Sequence, residues 1–289
     1  MIVVKLQGGL GNQLFQYACG FALAKQLSKK LVFDFSFFSK ASESHTPRKL
    51  ELHKLVVIPD CIYHTPQPRF YSRSFKAEIK YLIHNISGRK PFWAYNNDLK
   101  LPDRSNKNIY LDGYWQSEKY FKFFRKELIT QIKPQQALSK EANNQLQLIH
   151  NYTSVAVHVR RGDYVSNPRY LKKYGVCSLS YYKEAISRIS DILNKPTFFF
   201  FSDDNKWVLD NFDINNNFFI VENTSEAWED LWLMSKCNHQ IVANSTFSWW
   251  GAWLNINLDK IIIAPKHWYN DPVLNEERKN LVPEEWLRI

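Results

Sequence analysis

The sequence predicts an α/β protein of two halves, the second built on a doubly wound parallel sheet. Three observations carry this. Residues 2–35 read as strand, glycine-rich turn, helix and strand. Residues 154–264 alternate apolar runs with helical periodicities at regular spacing. The length, 289 residues, leaves room for two domains of about 150 residues each.

The elements follow in order. Ile2–Leu6 is a short apolar run suited to a buried strand. After Gln7-Gly8-Gly9-Leu10-Gly11-Asn12, the residues Leu14, Tyr17, Ala18, Phe21 and Ala22 share one helical face, and the helix runs to about Ser28. Leu31–Phe35 is the second strand, and parallel pairing with the first requires the intervening helix as a crossover. The stretch to about Pro102 is polar, basic and irregular, with a helical pattern near Phe75–Ile86. Ile109–Asp112 is a strand; helices over about Glu118–Thr130 and Gln135–Asn151 close the first half. The second half has strands at Ser154–Val159, Thr197–Phe201, Phe218–Val221, Gln240–Ala243 and Lys260–Ala264. Helices at Leu179–Leu193, Asn205–Phe212, Ser225–Lys236 and Phe247–Leu254 separate them. Such alternation implies a parallel sheet covered on both faces. The expected domains are residues 1–151 and 152–289.

Composition narrows the function. With 45% hydrophobic residues and ten tryptophans the chain is not intrinsically disordered. Lysine and arginine total 38 against 28 acids, a formal charge of +10, which leaves nucleic acid, an anionic membrane or a phosphorylated small molecule as partners. No RRM, KH or zinc-finger signature is present, and the arginine pair discussed below sits at a strand end, so nucleic acid is not expected. No run reaches the ~18 apolar residues of a membrane span, and the first residues do not read as a signal peptide. A cytoplasmic protein is expected, with peripheral contact at the inner membrane compatible with its basic patches. The four scattered cysteines read as reduced core thiols.

Three segments carry chemistry-bearing residues at strand ends, where open α/β sheets bind ligands. The first is His158-Val159-Arg160-Arg161-Gly162-Asp163. A strand end needs no arginine pair for stability. Either both arginines form structural pairs with acids such as Asp163 or Asp203, or one binds a diphosphate while Asp163 holds the other. The second, Ser202-Asp203-Asp204, offers a metal site, a donor-recognition site or a cap for the following helix. The third, Asn244-Ser245-Thr246-Phe247-Ser248, opens a helix, where capping and anion binding are compatible. The following tryptophans read mostly as core, with Trp249 the best placed of them to stack on a sugar. The Gly8–Asn12 turn does not match GxGxxG and indicates only a tight turn with close backbone approach.

Together HVRRGDYV (158–165), FSDD (201–204), ANSTFSWWGAWL (243–254), GGLGNQLFQYA (8–18) and LDGYWQSEKYF (111–121) resemble bacterial α-1,2-fucosyltransferases of glycosyltransferase family 11. The resemblance implies a GT-B-like fold, two Rossmann-like halves facing a cleft. It also implies a GDP-L-fucose donor, inversion at the anomeric carbon, and no cofactor or metal. By position it assigns Arg160, Asp163 and His158 to catalysis. Gly11, Asn12, His158, Arg160, Arg161, Asp203, Asp204, Ser245, Thr246 and Phe247 are assigned to the donor, and Tyr114, Trp115 and Gln116 to the acceptor. The implied acceptor is a galactose-terminated glycan attacked through its 2-hydroxyl, in an O-antigen type pathway, with a lipid-linked unit among the options. Asp163, His158, Asp112 and Glu118 are all candidates for a general base, and neither spacing nor resemblance selects among them. A metal-dependent transferase using Asp203 and Asp204, and a non-catalytic nucleotide-sugar-binding protein, are the competing readings.

Overall fold

The computed structural model describes residues 1–38, 48–58, 61–62, 92–95, 108–213, 217–222 and 224–289, with the side chains of 61–62, 92–95 and 163 outside that description. The helical pattern expected near Phe75–Ile86 and the basic stretch up to Arg104 lie outside the described residues. The chain divides into two compact units, Met1–Ile132 and Lys133–Ile289.

The first unit is a five-stranded parallel sheet. Strands β1 (Ile2–Lys5), β2 (Leu31–Asp34), β3 (Cys61–Ile62), β4 (Phe92–Tyr95) and β5 (Ile109–Asp112) lie in the order β3-β2-β1-β5-β4. Helix α1 (Leu10–Gln26) supplies the crossover from β1 to β2. Its pattern predicted one buried face, but nearly every residue from Leu10 to Ala24 is buried. The helix expected over Glu118–Thr130 is broken. Two 3-10 turns, Glu118–Tyr120 and Lys122–Phe124, precede α2 (Arg125–Gln131). The break lies at Phe121, whose φ of −144° takes it out of helical geometry and lets its ring bury against Phe15, 6.0 Å between centroids.

The second unit holds six parallel strands: β6 (Ser154–Val159), β7 (Thr197–Ser202), β8 (Phe218–Ile220), β9 (His239–Ile241), β10 (Ile262–Ala264) and β11 (Leu287–Arg288). Their order is β11-β10-β9-β6-β7-β8, the 3-2-1-4-5-6 sequence of a Rossmann-type sheet. Val155, Val157 and Val159 join Phe198 and Phe200 in one apolar face, closed by Tyr181, Tyr182, Ala185 and Ile189 of a helix over Leu179–Ile192. By strand alternation His158 faces the other side.

The division between units falls earlier than residue 151. The helix over Lys140–His150, capped by Ser139, belongs to the second unit because buried Glu229 holds it there. Glu229 Oε1 accepts from the Ser139 amide at 2.6 Å and Oε2 from its hydroxyl at 3.1 Å. Two short helices that the periodicity did not reveal, Gly162–Ser166 and Pro168–Tyr174, follow β6. Among the described residues Cys19, Cys177 and Cys237 are free buried thiols.

Candidate active site

In a doubly wound sheet the ligand crevice opens where the strand order reverses, at the carboxyl ends of the two central strands. In the second unit these are β6 and β9. His158 ends β6. The helix over Thr246–Trp253 opens just after β9, and its Phe247 ring lies 5.7 Å from the His158 imidazole. The predicted segments 158–163 and 244–248 therefore meet at one place.

Both arginines are held by the FSDD carboxylates. Arg160 Nη1 lies 2.6 Å from Asp203 Oδ2, and Arg161 Nε lies 3.1 Å from Asp204 Oδ2. Asp203 Oδ1 accepts from the Arg161 amide at 2.8 Å, and Asp204 Oδ1 caps the next helix through Trp207 N at 3.0 Å. All four oxygens thus have partners within the protein, and two of those partners are cations. A divalent ion there would be repelled by those two guanidinium charges. Among the described residues no cluster of three metal-ligating side chains occurs. Each guanidinium also lies over a ring: Arg160 over Tyr164 at 5.5 Å, Arg161 over Trp207 at 4.5 Å. Clamping by charge on one side and an aromatic face on the other fixes side chains that otherwise lose much rotamer entropy on binding. The expectation that Asp163 holds one arginine falls on a side chain outside the described residues. Gly162 has a steric reason: a Cβ there would collide with Asp203 Oδ2.

His158 is buried and neutral. Burial, then the charge of Arg160, pushes its imidazole down to about 3, and Nδ1 is buried with no hydrogen-bond partner. An imidazole whose protonated form burial disfavours this strongly is a weak proton acceptor at neutral pH. Tyr182 donates from its hydroxyl to the His158 carbonyl at 3.1 Å and fixes the strand end. Ser245 is the N-cap, accepting from Phe247 N at 3.3 Å. Asn244 is structural: its Nδ2 donates to the carbonyls of Tyr174 (2.9 Å), Gly175 (3.3 Å) and Trp268 (3.2 Å). Trp249, expected at a sugar-facing rim, is fully buried and donates from Nε1 to Leu281 O at 2.8 Å. It is core, because the helix that carries it is buried on all sides after its first turn.

The first unit has its own reversal point, between β1 and β5. Gly8 makes the turn after β1 with φ +78°, a conformation that favours glycine. The first turns of α1 then supply three amide side chains. Asn12 Oδ1 accepts from Gln116 Nε2 at 2.8 Å. Gln13, fully buried, donates to Gly8 O (2.9 Å) and Lys49 O (2.8 Å) and accepts from the Glu51 and Leu52 amides. Gln16, also fully buried, accepts from Gln7 N at 2.9 Å and donates to Gly113 O at 3.1 Å. Gln13 and Gln16 were missed in the sequence; their signal was uncharged amides at buried positions of an apolar helix. Asp112 is buried in an ion pair with Lys5 at 3.1 Å.

One acceptor assignment, Trp115, needs correction. Trp115 is fully buried, its ring edge-on to Tyr120 at 5.9 Å, and it presents no face to a sugar. Gln116 is engaged with Asn12. Of the three, Tyr114 alone is exposed.

Comparison with known proteins agrees with this architecture. The model for glycosyl transferase family 11 matches residues 1–289. An alpha-1,2-colitosyltransferase of Escherichia coli is 35% identical, covering 100% of this chain and 99% of its own. The O-antigen biosynthesis glycosyltransferase WbnK of the same species is 31% identical over 98% and 99%. Galactoside alpha-(1,2)-fucosyltransferase 1 of Alouatta belzebul is 24% identical over 86% of this chain and 63% of its own. Among solved structures, the fucosyltransferase NodZ from Bradyrhizobium superposes with a TM-score of 0.50 at 14% identity, covering 86% of this chain and 91% of that one, which supports the GT-B-type α/β fold. With the family model spanning every residue, the chain belongs to glycosyltransferase family 11.

Proposed function

We propose that the protein transfers L-fucose from GDP-L-fucose, with inversion, to the 2-hydroxyl of a terminal β-galactoside during assembly of an O-antigen type surface glycan. The observation that carries this reading is the pair of clamped arginines at the β6 strand end, beside the N-terminus of the helix that follows β9. Cleaving a sugar–phosphate bond loads negative charge onto the departing diphosphate. A preorganised guanidinium and helix N-terminal amides stabilise that charge without reorganising. Arg160 serves as the leaving-group cation, with Arg161, Asp203 and Asp204 as its frame. Ser245, Thr246 and Phe247 line the phosphate side, and His158 contributes a neutral imidazole. Gly11 and Asn12 contact the donor, with Gln116 orienting the Asn12 amide, and Tyr114 remains the acceptor-side candidate. Asp163, Asp112 and Glu118 are the carboxylate candidates for accepting the proton of the acceptor hydroxyl. The reaction is read as metal-free, supported by the full engagement of the four Asp203 and Asp204 oxygens.

A second reading is favoured by the 35% identical colitosyltransferase: a GDP-colitose donor, which differs from GDP-fucose by lacking one sugar hydroxyl. A pocket that hydrogen-bonds that hydroxyl rejects the deoxy donor by about 10⁴-fold, whereas an apolar pocket discriminates only weakly. Labelled GDP-fucose and GDP-colitose, each offered with a panel of galactosides and with linkage read by NMR, decide donor, acceptor and regiochemistry together. Transfer from neither donor would overturn the reading. Loss of activity on chelation, restored by manganese, would overturn its metal-free part.

A further inference from the structure

We infer that the face of the first unit built around Phe123 docks on an anionic phospholipid surface. The inference is independent of the reaction proposed above. Phe123 is 89% exposed, although a phenylalanine side chain is among the costliest to leave in water. Its exposure is enforced by the backbone. On either side of it Phe121, Leu128 and Ile132 are buried and anchor the segment, so the 3-10 turn Lys122–Phe124 holds the ring outward. Phe123 touches Phe124 edge-on at 5.3 Å, Phe124 meets Phe21 at 6.3 Å, and Lys25 Nζ lies 5.6 Å over the Phe21 ring. Phe21, Tyr17, Lys25 and Lys29 line a cleft of about 430 Å³. An aromatic run therefore leads from an exposed ring into an aromatic-floored cleft with two lysines in its wall.

The charge around the ring names the partner. Lys119, Lys122 and Lys126 are exposed and Arg125 half-buried, against one exposed acid, Glu127. An apolar ring that enters the headgroup layer, surrounded by lysines that meet anionic headgroups, is how peripheral proteins hold a membrane surface. Another prominent apolar tip lacks this chemistry. Leu258, 94% exposed, sits among Asn255, Asn257, Asp259 and Lys260 with no net charge. The catalytic arginines do not account for the chain's charge of +10, and this face gives part of the remainder a use.

The test is sedimentation of the full chain with vesicles of phosphatidylcholine alone and of phosphatidylcholine mixed with phosphatidylglycerol. Binding to the anionic vesicles only, weakened by high salt, is expected. Lys122→Glu and Lys126→Glu should each weaken it by at least about fivefold, and Phe123→Ser by about tenfold, with Phe123→Leu largely restoring it. All three residues lie away from the strand-end machinery, so transfer to a soluble acceptor should stay unchanged and report intact folding. Equal binding of the variants and the parent chain would overturn the inference. So would failure to bind anionic vesicles, or a concentration-dependent dimer that Phe123→Ser abolishes, which would make the face a contact between copies.

Discussion

Asp203 ties the Arg160 guanidinium to the backbone of the next residue. Its Oδ2 pairs with Arg160 Nη1 at 2.6 Å, while its Oδ1 accepts from the Arg161 amide at 2.8 Å. The carboxylate thereby fixes the Arg160 head group relative to the backbone that carries it. A guanidinium held this way meets a developing charge without first being ordered, which is the property electrostatic catalysis requires.

Arg160→Ala should lower kcat by about 10²–10³ with an unchanged thermal midpoint. Arg160→Lys should recover little, because a point-charge ammonium cannot reproduce a planar fork held between a carboxylate and the Tyr164 ring. Near-parental turnover in a folded Arg160→Ala enzyme would remove the residue from the leaving-group role.

Gly162→Ala tests the clamp from the other side. The new methyl collides with Asp203 Oδ2, so the carboxylate must swing away from Arg160. The expected result is a loss of turnover comparable to that of Asp203→Ala and a stability cost of about 1–3 kcal/mol, as for other overpacked sites. The two substitutions combined should be far from additive in kcat. Additive losses would show that Gly162 matters for another reason.

The amide pair Asn12–Gln116 invites a double-mutant cycle. If Gln116 acts by orienting Asn12, Gln116→Ala and Asn12→Ala should each raise the donor KM, and the double variant should be little worse than Asn12→Ala. An effect of Gln116→Ala confined to the acceptor KM would return Gln116 to the acceptor site.

Asp230 gives the fold a pH signature. Burial, opposed by the Thr224 hydroxyl at 2.7 Å and reinforced by Glu229, pushes its carboxyl up to about 6. The folded state therefore holds a proton that the unfolded state releases near pH 4, so stability falls as pH rises from about 4 to 6 and stays lower above. Asp230→Asn should raise stability by about 2 kcal/mol at pH 8 and change little at pH 3.5, as read by denaturant titration at both values. Equal effects at both values would refute the shift.

The division between sequence and structure can be read in particular residues. Ser154–Val159 and Ile109–Asp112 were legible to the residue, because a buried parallel strand is a short apolar run bounded by polar turns. The five motifs identified the family, and the placement of 158–163 and 244–248 at strand ends put them at one site. Trp115 and Trp249 were misjudged, since an aromatic after a strand looks the same in sequence whether its ring meets a sugar or the core. The break at Phe121 was hidden for a similar reason: helical periodicity does not register a φ of −144° that buries one ring. By itself the sequence determined the class of each half, most of its strands and the residues gathered at their ends, because these follow from local periodicity; the short edge strands β3 and β11, and β4, gave no such signal. Only the tertiary structure decided that Arg160 pairs with Asp203 and Arg161 with Asp204, that Gln116 donates to Asn12, and that Glu229 draws the 140–150 helix into the second unit. Those choices join residues far apart in the chain. They are set by which strands the sheet brings side by side, and no local pattern encodes that.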